Sequence, residues 1–385
     1  MLSALLQPLA MGGALLSLVY YALAIYSARQ FFHRRMRSDV DFTPAVSILK
    51  PVRGLDAEAY QDFASFCHQA YPDYEILFAV AEAEDPVVPI IKKVIDDNPN
   101  VRIRLLMGSP ELGPSSKVNK LCRLVREASH DVLVMNDSDI RVSPDYLRAV
   151  VAPLQDETVG AVTCLYRGLP NGRLAGDLEA LGIATDFAAG VLVARQLEGV
   201  KFALGATIVV TRERLAQIGG FEALVDYCAE DFELGHRIAA RGYRVELASY
   251  IVDSECAGET LASYFRHQFR WCVSTRHSRP WGHFGLVLTH GLPWSIAAAA
   301  VAPSLTMAMA FPCAYLALRW AVAWSVGIAG LGDGVVRRKW WLVPVRDAVA
   351  FAVWTASLFS NRIDWRGRQF ELRSGRLVSS RVDPS

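Results

Sequence analysis

A chain of 385 residues has room for two or three folding units at roughly 100 to 200 residues each, and 52% hydrophobic residues can build a sizeable core. Its 40 basic residues against 39 acidic ones give a net charge of +1, which excludes the overall basic bias of a nucleic-acid binder. Seven cysteines, with no Cys-x-x-Cys pair, argue against a disulfide framework or a zinc site and fit a reducing cytosol.

Leu2 to Tyr26 carries no charged residue and, as a helix, is long enough for the ~30 Å hydrocarbon core of a bilayer. Arg29, His33, Arg34, Arg35 and Arg37 follow at once. A signal peptide carries its positive charge before the apolar run, so residues 1–28 read as an uncleaved transmembrane anchor with residue 29 onward in the cytoplasm.

Residues 42–256 have the composition of a soluble domain with alternating elements. Strands are expected at Val46 to Lys50, Tyr74 to Val80, Val101 to Leu106 and Val132 to Met135. Helices are expected at Ala57 to His68, capped by Asp56, and at Val87 to Asp97 and Ser116 to Ala128. The alternation predicts right-handed βαβ crossovers, a mostly parallel sheet and an α/β fold of the nucleotide-binding, Rossmann-like type.

Ligands of such sheets sit beyond the carboxyl ends of the strands. Asp85, in the loop after the second strand, reads either as a partner for a uracil or ribose or as a cap for the helix after Pro86. Lys117, at the start of the next helix, reads as a diphosphate contact or as a solvated lysine. The apolar run Val132 to Met135 stops at Asn136-Asp137-Ser138-Asp139. Asp137 and Asp139 make a hard-oxygen site for Mg²⁺ or Mn²⁺, or are turn residues before a helix near Pro144.

Further strands are expected at Val159 to Cys164 and Phe202 to Thr211, the latter broken by Gly205-Ala206-Thr207 where a ligand or backbone approaches closely. Gly176 to Ala194, apolar on more than one face, reads as a core helix or as a wall of a lipid pocket, with the core ranked first. Glu230, Asp231 and Glu233 fall in the first turn of a helix that runs to Arg241. Acidic residues there suit the helix dipole, and the same dipole helps to keep a general base such as Asp231 ionised.

Residues 257–282 mix Tyr264, Phe265, Phe269 and Trp271 with Arg266, His267, Arg270 and Arg276, which fits amphipathic interface helices. Residues 283–360 are apolar, with spans expected at 285 to 303 and 305 to 327. A third stretch, 340 to 360, is broken by Arg346-Asp347 and reads as re-entrant or interfacial, because an unpaired charge at that depth is costly. The tail 361–385 contains arginines at 362, 366, 368, 373, 376 and 381 and is expected in the cytoplasm.

Taken together, Asp85, Asp137-Ser138-Asp139, Ala229-Glu230-Asp231 and His267-Gln268-Phe269-Arg270-Trp271 resemble the ordered motifs of inverting GT-A glycosyltransferases with lipid acceptors. Ile48-Leu49-Lys50-Pro51-Val52-Arg53-Gly54 and Lys117-Val118-Asn119-Lys120-Leu121 add local matches to the ceramide glucosyltransferase family, family 21, related to family 2. The bacterial hopanoid-biosynthesis N-acetylglucosaminyltransferase branch is the most similar. One departure stands out: His267 occupies the position where the family has Gln or Arg, with Gln268 beside it.

The resemblance implies that Asp85 contacts uridine and that Asp137 and Asp139 hold the diphosphate and metal. It implies that Asp231 is the base and that Arg270 and Trp271 act at the diphosphate and acceptor end. Lys117, His267 and Gln268 join the donor-binding set. The expected activity is transfer from a UDP-sugar to a membrane-lipid hydroxyl, with N-acetylglucosamine to bacteriohopanetetrol ranked ahead of glucose to ceramide. The expected location is a bacterial inner membrane, multi-pass, with the catalytic domain in the cytoplasm and no nucleic-acid partner. A polysaccharide synthase and a non-catalytic membrane scaffold are the rival readings.

Overall fold

The computed structural model describes residues 2–33, 42–256, 260–365 and 368–379. Arg34, Arg35, Arg37, Arg366 and Arg381 of the basic segments lie outside the described residues. The chain divides into an α/β unit, Arg35–Tyr166 with Glu198–Glu255 and Arg373–Ser385, and a helical unit, Met1–Arg34 with Arg167–Leu197 and Cys256–Leu372.

The α/β unit is organised on one sheet with strands β1 (Val46–Pro51), β2 (Tyr74–Val80), β3 (Arg102–Met107), β4 (Val132–Met135), β5 (Ile140–Arg141), β6 (Val159–Leu169), β7 (Ile208–Thr211) and β8 (Arg244–Glu255). Their order is β3-β2-β1-β4-β7-β6-β8-β5. β3, β2, β1 and β4 run parallel, with Val46 opposite both Tyr74 and Val132. β7 pairs antiparallel with β4 and β6, so the sheet is mixed around a parallel core. Every residue of β1 and β4 is buried, as continuous apolar strands covered on both faces require. The helix Ser116–Glu127 turns Val118, Leu121 and Leu124 inward, and Ser115 Oγ caps it by accepting from Val118 N at 3.4 Å.

Three expected features of this unit change. Asp56 is not a helix cap: the helix is Ala59–Ser65, Glu58 precedes it without a side-chain bond, and Asp56 Oδ2 accepts from Ser138 Oγ at 3.0 Å. β6 extends five residues past Cys164 to Leu169. The strand expected from Phe202 shrinks to β7, because the chain turns back between Leu204 and Thr207.

The helical unit begins with Leu2–Phe32, whose buried positions include Ala10, Ala14, Ser17, Ala24 and Ala28. Small residues let another backbone lie close, and Ser17 Oγ donates to Leu288 O at 2.8 Å while Tyr21 OH accepts from Gly291 N at 3.0 Å. The expected span 285 to 303 is instead the ten-residue helix Gly291–Ala300, about 15 Å long and too short to cross a bilayer. Helix Leu305–Val322 continues through a wide turn to Ile328, and among the described residues it and Leu6–Phe32 are the helices long and apolar enough to cross. The core stretch expected at 176 to 194 is two helices, Leu174–Gly182 and Ala188–Glu198, joined by a wide turn, Ile183–Phe187.

That turn presents Thr185 and Asp186 to Arg319, which is 2% exposed. Arg319 donates to Asp347 Oδ1 and Oδ2 at 2.8 Å each and to Thr185 O at 3.0 Å, and it pairs with Asp186. Tyr315 OH donates to Asp347 at 2.7 Å, and Arg346 stands 3.5 Å from Asp186. The Arg346-Asp347 pair in helix Val343–Ser357 is therefore compensated on both members. Removing one partner leaves a buried charge alone, at about 3–5 kcal/mol. Arg319→Met should lower the unfolding midpoint in detergent markedly, and Arg319→Met with Asp347→Leu should recover much of the loss; equal midpoints for both variants would dismiss the pairing.

Candidate active site

The site lies in the α/β unit where β4 ends. Asn136 is buried and its Nδ2 donates to Tyr146 OH at 2.8 Å, Ala206 O at 2.9 Å and Thr207 Oγ1 at 2.9 Å, which fixes the exit of the strand. Lys50, at the end of β1, donates from Nζ to the carbonyl of Asp137 at 2.7 Å. Its ammonium is wholly buried over the Phe66 ring, at 4.1 Å. Burial pushes its pKa down to about 8, against the upward pull of Asp62, Asp139, Asp137 and Asp56. Ser254 Oγ on β8 donates to Asp139 Oδ2 at 3.0 Å, and Glu255 N donates to Asp139 O at 3.0 Å. The Asp137-Ser138-Asp139 turn is thus held from both sides.

Helix Glu230–Ala240 brings the second acidic group. Gly235 makes this possible: a Cβ there would stand 2.2 Å from Ala203 N, so only glycine lets the helix rest on the 202–203 backbone. One turn earlier on the same face, Asp231 Oδ2 accepts from Gly205 N at 2.9 Å, and Oδ1 accepts from Phe232 N at 2.7 Å. A Cβ on Gly205 would meet Asp137 Oδ2 and Asp231 Oδ2 at 3.0 Å each, so the two carboxylates flank one glycine. Lys117 Nζ lies 2.5 Å from Asp137 Oδ1 and 2.6 Å from Glu230 Oε1. Burial opposes its charge, but Asp137, Glu230 and Asp231 outweigh that and raise its pKa well above the ordinary value, so Lys117 stays cationic.

Burial, then Asp137 and Asp56, push Asp139 up to about 7; burial and Glu230 push Asp231 up to about 6, with Lys117 opposing. Among the described residues no group of three or more His, Cys, Asp or Glu gathers as a metal cage. Asp137 and Asp139 supply two hard-oxygen ligands with Asp56 and Asp231 close by, which suits a divalent ion completed by phosphate and water. The residues present fit that kind of ion.

Both oxygens of Asp85 accept from Gly54 N, at 2.9 and 3.1 Å, and Oδ1 also accepts from Val87 N at 3.1 Å. Asp85 therefore joins the loops after β1 and β2 and holds the turn that leads into helix Val88–Asp97, whose N-cap is Val87 without a side-chain bond. His267, Gln268, Arg270 and Trp271 belong to the helical unit, on helix Leu261–Ser278. His267 Nδ1 is 2.6 Å from Glu179 Oε1, its ring is 4.5 Å from that of Trp271, Gln268 Oε1 accepts from Arg346 at 3.0 Å, and Arg270 lies over Trp365 at 5.6 Å. Sequence reading missed the roles of Lys50, Glu230, Ser254 and Glu179. A lysine inside the buried run Val46–Pro51 was the available signal for the first; the others are long-range partners with no local signature.

The family model for glycosyl transferase family 21 matches residues 9–378. The chain belongs to glycosyl transferase family 21. Ceramide glucosyltransferase 1 of Caenorhabditis elegans is 26% identical over 267 residues, covering 68% of this family 21 chain and 57% of that protein. A ceramide glucosyltransferase of Pyricularia oryzae is 20% identical over 474 residues, covering 97% and 95%. The chain spans about half the length of the first two curated relatives, 57% and 54%. The mannosyltransferase PcManGT from Pyrobaculum calidifontis, solved with GDP-Man and Mn²⁺, superposes with a TM-score of 0.56 at 18% identity, covering 93% of this chain and 98% of that one. The shared fold is the mixed α/β glycosyltransferase fold.

Gly205→Ala tests the geometry. Its new methyl presses on side-chain oxygens rather than backbone, so the unfolding midpoint should move little while sugar transfer falls by about tenfold or more. Wild-type turnover in this variant would show that the spacing of Asp137 and Asp231 is not critical.

Proposed function

We propose that this family 21 protein is an inverting, metal-dependent transferase that moves a sugar from a UDP-sugar to a hydroxyl of a membrane lipid. The observation that carries the reading is the pair Asp137 and Asp231 on either side of Gly205, with Lys117 bridging Asp137 and Glu230. Asp137 and Asp139 would hold Mg²⁺ or Mn²⁺, which when bound stabilises negative charge on the leaving diphosphate. Lys117 adds a fixed positive charge at the same place. Asp85, by joining the two loops, shapes the place assigned to uridine. Asp231, anchored through two backbone N–H groups, takes the proton from the acceptor hydroxyl as that oxygen attacks the anomeric carbon. A single displacement inverts the configuration, and no enzyme nucleophile is used.

The named relatives favour glucose and a ceramide-type acceptor over N-acetylglucosamine and a hopanoid polyol, which reverses the order drawn from sequence alone. In this reading His267, paired with Glu179, and Gln268, Arg270 and Trp271 serve the donor and acceptor end. Helices Leu6–Phe32 and Leu305–Ile328, together with exposed Trp281, Phe284, Ile296, Met309 and Trp324, support membrane attachment of the helical unit. Leu377 N donates to Asp226 O at 2.7 Å, and Cys228 N donates to Gly375 O at 3.0 Å. Chain segments in such contact share one side of a bilayer, so the number of crossings between them is even. That supports a tail on the cytoplasmic side with the catalytic unit, and it requires Leu305–Ile328 either to be matched by a return crossing or not to cross.

Asp231→Asn should keep UDP and Mn²⁺ binding in calorimetry while transfer nearly disappears; substantial turnover would remove Asp231 as the base. The base acts deprotonated, so kcat/KM of the wild type should fall as pH drops through about 6. Asp139→Ala should weaken Mn²⁺-dependent UDP binding, and an unaltered metal dependence would return Asp139 to a turn role. Mass spectrometry after incubation with ceramide or a hopanoid polyol, and UDP-glucose or UDP-N-acetylglucosamine, decides the substrates; no lipid product with any pair would reopen polysaccharide synthesis.

A further inference from the structure

The segment that leads into Glu230 and Asp231 is not held by its own neighbours alone. After Glu255 the chain leaves the α/β unit, runs through the C-terminal part of the helical unit and returns at Arg373. On return it makes a tight turn at Ser374 and Gly375, with φ of 50° and 79°, and forms the strand Arg376–Ser379. Tyr227 and Arg376 form an antiparallel bridge, framed by the Leu377 N to Asp226 O and Cys228 N to Gly375 O bonds. Leu377 is buried and so is Cys228. Two guanidinium groups lie over the Tyr227 ring, Arg376 at 5.3 Å and Arg237 at 5.2 Å. Arg237 is in turn bonded to Glu233 at 2.8 Å on the helix that carries Asp231.

We propose that the returning strand Arg376–Ser379 is a positioning element for the catalytic carboxylates: it straps loop 226–229 so that helix Glu230–Ala240 starts at the right place. The strap rests on the reading of Asp231 as the base. The physical reason is the short lever between the two. Cys228, bonded to the strap, is two residues from Glu230, whose carboxylate holds Lys117 at 2.6 Å, and three from Asp231, whose carboxylate must stay on Gly205 N. A loop freed of two backbone bonds and an aromatic clasp lets the first turn of the helix fray, and the first turn is where both carboxylates reside. A further consequence is order of assembly: the carboxylates reach their working geometry only after the helical segments between 256 and 372 have been made and the chain has returned.

The test uses the full-length protein. Leu377→Pro removes the N–H that bonds Asp226 O, Gly375→Val opposes the positive φ of the turn, and Leu377→Val is the control that keeps the bond. Three quantities are read: kcat, Mn²⁺-dependent UDP binding, and maleimide labelling of Cys228 located by peptide mass spectrometry. The strap predicts that both disruptive variants lose kcat by on the order of 10²-fold, keep UDP binding, and label at Cys228 faster than the wild type, while Leu377→Val behaves as the wild type. Unchanged labelling, or faster labelling with undiminished kcat, overturns it, as does loss of UDP binding in step with kcat, which would mean general unfolding. Failure of the base reading is seen separately, in an active Asp231→Asn.

Discussion

The site depends on a close approach between helix Glu230–Ala240 and the chain at 202–205. Gly235 removes the side chain that would keep the helix away, and Gly205 removes the one that would fill the gap between Asp137 and Asp231. Two carboxylates from distant parts of the chain then face one another across a glycine, where they would repel. Lys117, bonded to Asp137 and Glu230, is what makes that arrangement tolerable. Burial, and after it the neighbouring carboxylates, displace Asp139 and Asp231 upward, and a divalent cation would relieve the second of these causes.

The two units handle buried charge in opposite ways. In the helical unit Arg319 is matched by Asp347 and Asp186, Arg346 by Asp186 and Gln268, and Lys339 by Asp177. Each of those charges has an opposite charge beside it, as charges among apolar helices must, although Asp186 Oδ2 and the Nε and Nη1 of Arg346 are left without a hydrogen bond. In the α/β unit the carboxylates of Asp56, Asp137, Asp139, Glu230 and Asp231 exceed the lysines that face them. Closed pairing marks a structural network; several carboxylates sharing one lysine at the end of a central parallel strand mark a place for a ligand.

Lys50 shows how much of such a site is second-hand. It contributes no oxygen to a metal and lies wholly inside the fold, yet its bond to the Asp137 carbonyl, made over the Phe66 ring, sets where the acidic turn begins. Ser254 and Glu255, on β8, fix the other end. These partners lie far apart in sequence from the turn they hold, so no local pattern joins them to it. Asp56 illustrates the converse: local spacing makes it look like a helix cap, but a nearby hydroxyl, Ser138, offers it a better bond.

Periodicity and punctuation in the sequence were sufficient for β1, β2, β4, the helix Ser116–Glu127 and the long N-terminal helix, because each is set by a continuous apolar run or face that only one element type can bury. Asp137 and Asp139 stood out as candidates because they follow directly on the apolar run Val132 to Met135, whereas Asp231 was named from its place in the first turn of a helix. The length of the apolar segment after Gly285 was misleading, because hydropathy counts apolar residues but does not see where the helix ends, and here it ends at Ala300. Only the tertiary structure decided that Asp137 and Asp231 flank Gly205, that Lys117 serves the carboxylates as a counter-ion, and that the last strand returns to loop 226–229. Each of these is a contact between residues remote in sequence, set by packing rather than by local propensity.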